Sequence, residues 1–222
     1  MTDLLKYAIE LVAVLLLALG IKGLSKVRSA RGANQLAAVA MALAVVGLLV
    51  NYLGTSGIDA SAWIWILLGT LVGGSLGAVI AQRVPMTSMP ETVALFNGCG
   101  GMSSLLVALA AALYPAALNA ANPVALVSIV VSVFVGAITF TGSIVAMAKL
   151  QGWLSTPDWM QSRLRHAVNI ALAVAALVGA VEMLRTSGGV TGMWLLVVAS
   201  GLLGIGVTLP IGGADMPVVI SL

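Results

Sequence analysis

The sequence predicts an all-α fold: a polytopic transmembrane helix bundle with seven complete spans, the start of an eighth, and the N-terminus outside. Three observations lead there. The 222 residues are 61% hydrophobic and only 8% charged, whereas a soluble domain carries about 25% charged residues. Too little polar surface exists to cover a globule in water. The apolar residues come in runs of about 20, the length a helix needs to cross roughly 30 Å of hydrocarbon. A barrel would show alternating segments of about 10 residues, and none appear. Finally, the basic residues are shared unequally between alternate connections, which fixes a side for each.

The first run, Leu4 to Leu24, begins almost at Met1 and lacks a small-residue cleavage site with a polar segment behind it, so it reads as a retained span. Glu10 lies in its early turns, an interfacial carboxylate near Lys6. A basic connection follows, with Lys22, Lys26, Arg28 and Arg31. Span two covers Asn34 to Leu53. Trp63 and Trp65 open span three, where indole rings favour the membrane–water interface. Span three reaches Ala81, and its Gly69, Gly73 and Gly77 recur every fourth residue. They form a bare stripe along which a neighbouring helix can approach closely.

Pro85 and Pro90 lead into span four, Glu91 to Leu113; Pro90 suits a first helical turn, where its missing N–H is not needed. Span five covers Val124 to Leu150, with Thr139 and Thr141 able to bond the preceding turn. The polar connection from Gln151 to Arg165 precedes span six, Ala167 to Leu184, and holds Arg163, Arg165 and, at its end, the sole histidine, His166. In span six Glu182 has Arg185 at i+3, an interfacial ion pair by default. Span seven covers Val190 to Leu209. The stretch LPIGGADMPVVISL then begins an eighth helix too short to cross, so the chain reads as a fragment of something longer.

Connections one–two, three–four and five–six hold Lys22, Lys26, Arg28, Arg31, Arg83, Lys149, Arg163 and Arg165; the opposite side holds only Lys6 and Arg185. Positive-inside places those connections, the beginning of span four and the GGADMP turn in the cytoplasm.

Several chemistries are excluded. The formal charge of +3 comes without a basic stripe or aromatic platforms, so nucleic acid is a poor partner. Cys99 is alone, which excludes an internal disulfide or a cysteine metal cluster. No H-E-x-x-H, CxxC or histidine pair offers a metal site. Gly98, Gly100 and Gly101 fail to complete G-x-G-x-x-G because position 103 is serine, and they lie inside an apolar run. Taken alone, the chain holds no nucleotide site and is no self-contained enzyme.

What remains is a set of polar groups at membrane depth, where such residues are expensive and tend to be functional. Glu91 stands in the first turn of span four; a carboxylate there favours the positive end of the helix dipole, or serves as a proton relay. Asn97, about two turns in, can orient water or bond across helices, but takes up no proton at ordinary pH. Ser103 and Thr139 extend the polar set along spans four and five. Asp215 precedes a helix starting near Pro217 and suits an N-cap.

Four stretches resemble one family. GLSKVRSARGAN at 23–34, PMTSMPETVALFNGCGG at 85–101, VGAITFTGSIVAMAKLQG at 135–152 and IGGADMPVVIS at 211–221 are similar, in matching order, to the beta subunit of the proton-translocating NAD(P)+ transhydrogenase. The resemblance implies that residues 1–222 are a transmembrane proton-translocating domain. The remainder of span eight, a ninth span and a soluble NADP(H)-binding domain would follow Leu222. It implies an oxidoreductase complex in the bacterial inner membrane, in which an alpha subunit binds NAD(H) and alpha–beta units pair as a dimer. Hydride transfer between NADH and NADP+ is coupled there to inward proton flow.

The resemblance also assigns residues. Many members carry a membrane-buried histidine linked to proton translocation where this chain has Asn97. That departure moves the titrating role to Glu91 or a partner's helix, with Asn97 holding water in a wire. Asp215 matches an acidic residue near the NADP(H) domain, and Arg165 and His166 fall in the basic loop facing the soluble domains.

Overall fold

The computed structural model of the chain describes residues 3–24, 29–53, 60–114, 123–157, 163–186 and 189–211. These form seven α-helices: α1 (Asp3–Leu24), α2 (Ala30–Leu53), α3 (Ala60–Arg83), α4 (Met89–Leu113), α5 (Pro123–Leu150), α6 (Leu164–Arg185) and α7 (Val190–Thr208). A single 3-10 turn, Met86–Ser88, precedes α4. No strand occurs among the described residues. Six of the helices are long and apolar enough to cross a membrane.

The helices run a little beyond the apolar runs that announce them. α2 starts at Ala30 and not at Asn34, and α6 at Leu164 and not at Ala167. Arg31, Arg165 and His166, expected in connections, therefore stand in first helical turns. Hydropathy marks where a helix meets hydrocarbon. The backbone goes on satisfying its own N–H and C=O groups into the interfacial layer, so the helix outlasts the apolar run.

The chain divides into two compact units, Met1–Gln82 and Arg83–Leu222. In the first, α1 and α2 pack as an antiparallel hairpin: Gly20 lies against Ala33 and Ala37, and Gly47 against Ile9 at the other end. α3 packs extensively on neither.

In the second unit α5 is central. It packs on α4 along one side and α7 along the other, and α7 in turn packs on α6. Close contacts fix the directions. Gly98 meets Ser143 while Gly136 meets Leu105, so α4 and α5 are antiparallel. Gly142 meets Thr208 while Ile138 meets Gly204, so α5 and α7 are parallel. Gly179 meets Gly192 while Asn169 meets Gly206, so α6 and α7 are antiparallel. Directions therefore alternate along the chain from α4 to α7.

Small residues make these contacts close. A Cβ on Gly101 would lie 2.8 Å from the Phe140 amide nitrogen and 2.9 Å from the Gly136 carbonyl oxygen. No side chain fits there, and the two backbones touch. The interior is filled by Val133, Met183, Met193 and Leu196, all fully buried. Leu106, Val107, Val124, Ile170 and Leu177 are exposed. Large apolar side chains outside and small residues at the helix contacts are the pattern of a bundle solvated by lipid, where packing and not water drives association.

Candidate functional site

The site lies along the seam of α4 and α5. Pro85 is extended and the chain winds through the 3-10 turn before α4 begins, with Pro90 in its first turn. Thr92 Oγ1 donates to the Ser88 carbonyl at 3.0 Å and closes that turn. Glu91 then faces the end of α5: its Oε2 accepts from Gln151 Nε2 at 3.2 Å. The carboxylate thus occupies the positive end of α4 and also ties α4 to α5, at one end of the seam.

Six residues along, roughly 9 Å of helix rise, Asn97 Nδ2 donates to Ser143 Oγ at 3.0 Å. Ser143 is buried. The neighbouring Gly98 allows this approach, since a Cβ there would come within 3.1 Å of Ser143 Cβ. Of the two uses open to Asn97, bonding across helices is realised.

Thr139, one turn before Ser143 and on the same face of α5, is half-buried against the bare backbone of Gly101. Ser103 lies further along, where Ser104, Ser128 and Ser132 join it around a groove of about 350 Å³ between α4 and α5. Ser128 turns its own proton back to the Val124 carbonyl at 2.8 Å. Between Glu91 and Ser104 the polar groups cover thirteen residues of α4, about 20 Å of rise.

Thr141 shares its proton between the Ala137 carbonyl at 3.0 Å, as expected of a threonine in a helix, and the Gly201 carbonyl of α7 at 2.8 Å.

The foot of α7 carries a second cluster. Lys149 Nζ donates to the carbonyls of Leu209 at 2.5 Å and Ile211 at 2.7 Å, and to Thr156 Oγ1 at 2.7 Å. Thr156 Oγ1 donates to Leu209 O at 3.1 Å. Asn169 Nδ2 of α6 donates to the Gly206 carbonyl at 3.0 Å. The sequence accounts for Lys149 only as a positive charge setting orientation. Asn169 had a legible signal: Pro210 stands at i+4 from Gly206 and has no N–H to give it.

The other expected residues are more scattered. Arg165 Nε donates to His166 Nε2 at 3.3 Å in the first turn of α6. Glu182 forms no ion pair with Arg185 among the described residues; its carbonyl accepts from Thr186 Oγ1 at 2.7 Å. Glu10 lines a small, otherwise apolar cavity of about 240 Å³ between α1 and α2. Within their own unit, Gly69, Gly73 and Gly77 face open space, with no described atom within 4 Å of a Cβ built on any of them. Asp215 lies outside the described residues.

The sequence profile of the NAD(P) transhydrogenase beta subunit matches residues 6–222. Two curated relatives, both NAD(P) transhydrogenase subunit beta of Rhodospirillum rubrum and one of them from a specified strain, are each 37% identical over 227 residues. The alignment covers 100% of this chain and 47% of each relative, so the chain spans about half their length.

Proposed function

The chain belongs to the NAD(P) transhydrogenase beta subunit family, and from that premise we propose that the α4–α5 seam conducts the protons that such an enzyme couples to hydride transfer between NADH and NADP+. The observation that carries this is the Asn97–Ser143 hydrogen bond in the middle of a line of polar side chains. Glu91 and Gln151 stand at one end of that line and the serine groove at the other.

The chemistry follows from the groups. Asn97 cannot titrate, so it acts as an orienting group. Its N–H occupies a lone pair of Ser143 Oγ, which leaves the serine proton to be donated elsewhere, and its own carbonyl oxygen still accepts. A hydroxyl held in this way can receive a proton on one side while releasing one on the other. Thr139 and Ser103 continue the line, with water completing it in the groove. Glu91 is the titratable member, at the end reached by cytoplasmic solvent when the N-terminus is outside, as the positive-inside distribution favours.

The rest of the assignment follows the family. The site on this chain's side of the enzyme ends at the cytoplasmic face, where Asp215, Arg165 and His166 meet an NADP(H)-binding domain continuous with this chain. NAD(H) belongs to an alpha subunit, and alpha–beta units pair as a dimer in a bacterial inner membrane. Gly69, Gly73 and Gly77 take a helix from a partner subunit. None of the nucleotides binds to residues 1–222 themselves.

The test is Asn97→Leu in the complete transhydrogenase, assayed in membrane vesicles. Leucine keeps the branched shape and the number of heavy atoms and removes both polar functions. Proton-coupled hydride transfer should fall about a hundredfold, the range expected when a positioned proton-transfer group is lost, with the protein still present in the membrane. Unchanged coupling would remove Asn97 from the path.

A further inference from the structure

The last turns of α5 touch both ends of the coupling problem. Ser143 of α5 and Gln151, the first residue past its end, are eight residues apart and meet Asn97 and Glu91 of α4. Lys149 reaches elsewhere, to the carbonyls of Leu209 and Ile211 just past the end of α7. One rigid segment therefore holds the proposed proton path on one side and the foot of α7 on the other.

That foot needs holding. A helix end leaves its last carbonyls without intrahelical donors, and here Pro210 removes one more. Three carbonyls at and just past this end take side chains from elsewhere: Gly206 O takes Asn169, Leu209 O takes Lys149 and Thr156, and Ile211 O takes Lys149, while Thr208 O accepts the Ile211 N–H at 3.1 Å. An ammonium group has three protons to donate, and Lys149 uses all three, on Leu209 O, Ile211 O and Thr156 Oγ1. Its charge also lies at the negative end of the α7 dipole. From Ile211 the chain runs directly into the stretch that carries Asp215.

We propose that Lys149, with Thr156, is a coupling latch: a positioning residue that passes a shift of α5 at the Asn97–Ser143 contact to the end of α7 and the segment after it. The inference rests on the proton-path reading above for the origin of the shift, and on the Lys149 bonds alone for its delivery. Coupling requires an element that makes different contacts in two states. A cation bonded to two carbonyls and a hydroxyl can exchange any of these for water when α5 moves, which a buried apolar contact cannot do.

The test uses the complete transhydrogenase in inside-out membrane vesicles, with proton uptake followed by a pH-sensitive dye and hydride transfer by nicotinamide absorbance. Lys149→Met should leave the enzyme in the membrane and lower the protons moved per hydride transferred by about tenfold, within the usual size of a coupling. Lys149→Arg, which keeps charge and donors, should restore the ratio. A wild-type ratio in Lys149→Met overturns the latch, since a purely structural role would change the amount of enzyme and not the ratio. Should Lys149→Met not accumulate, Thr156→Val decides: it removes the hydroxyl from Lys149 and Leu209 while keeping the cation, and an unchanged ratio again overturns the proposal. Asn97→Leu assayed alongside separates the two readings. Coupled hydride transfer at the wild-type rate in Asn97→Leu, together with a lowered ratio in Lys149→Met, refutes the path and leaves delivery through Lys149 standing. The reverse refutes the latch alone.

Discussion

Asn169 of α6 gives its amide proton, at 3.0 Å, to the Gly206 carbonyl of α7, the carbonyl whose usual partner at i+4 is Pro210. A defect written into one helix is repaired by a side chain of its neighbour. This yields a prediction with its own control. Asn169→Leu strands Gly206 O and should destabilise the bundle by about 1–3 kcal/mol. Adding Pro210→Ala restores an N–H at the right place and should recover part of that loss. Thermal unfolding in detergent of the wild type, the two single variants and the double variant measures it; no recovery in the double variant would mean the bond contributes little.

The Asn97–Ser143 bond can be weighed in the same way. Asn97→Ala and Ser143→Ala should be non-additive, with an interaction energy of about 0.5–2 kcal/mol, the range for hydrogen bonds between membrane helices. A double-mutant cycle on unfolding free energy is the measurement, and strict additivity would show the two side chains to be energetically independent.

Glu91→Gln separates charge from bonding. Glutamine keeps an acceptor for Gln151 but cannot titrate. Stability should change by no more than ~1 kcal/mol, the worth of an anion at a helix N-terminus, while proton uptake in vesicles drops by about tenfold or more. Proton uptake at the wild-type rate would leave Glu91 as a dipole partner only.

Two glycines on different helices should respond in opposite ways. Gly101→Ala places a Cβ against the backbone of α5 and should cost about 1–3 kcal/mol through overpacking. Gly69→Ala meets open space in its own unit and should be neutral, or slightly stabilising by helix propensity, within ~1 kcal/mol. Loss of enzyme assembly in Gly69→Ala, seen by native electrophoresis, would place a partner helix on the stripe.

Much of this architecture was legible in the sequence because each helix announces itself locally. α4 was read from Pro85, Pro90 and Glu91 and begins two residues before the expected start; α5 and α7 agree with their apolar runs to within one residue at each end. What resisted reading was which residues meet. Asn97 and Ser143 lie 46 residues apart, and no periodicity within either helix tells one face of α5 from another. Thr141 illustrates the difficulty: its local bond to Ala137 follows from the helix alone, while its bond to Gly201 depends on α7 lying parallel to α5. The bonding of Lys149 was hidden for a different reason. A basic residue at the end of a span already has a sufficient explanation in membrane orientation, so nothing in the sequence asked for a second.

The backbone contact between Gly179 and Gly192, where a Cβ on Gly192 would lie 2.8 Å from the Gly179 carbonyl oxygen, has a mechanical consequence. Two helices seated that closely cannot slide past one another without lifting apart, and the Asn169 bond pins their other ends together. α6 and α7 therefore travel as a single strut. A displacement of the foot of α7 would therefore carry the first turn of α6, with Arg165 and His166, along with it.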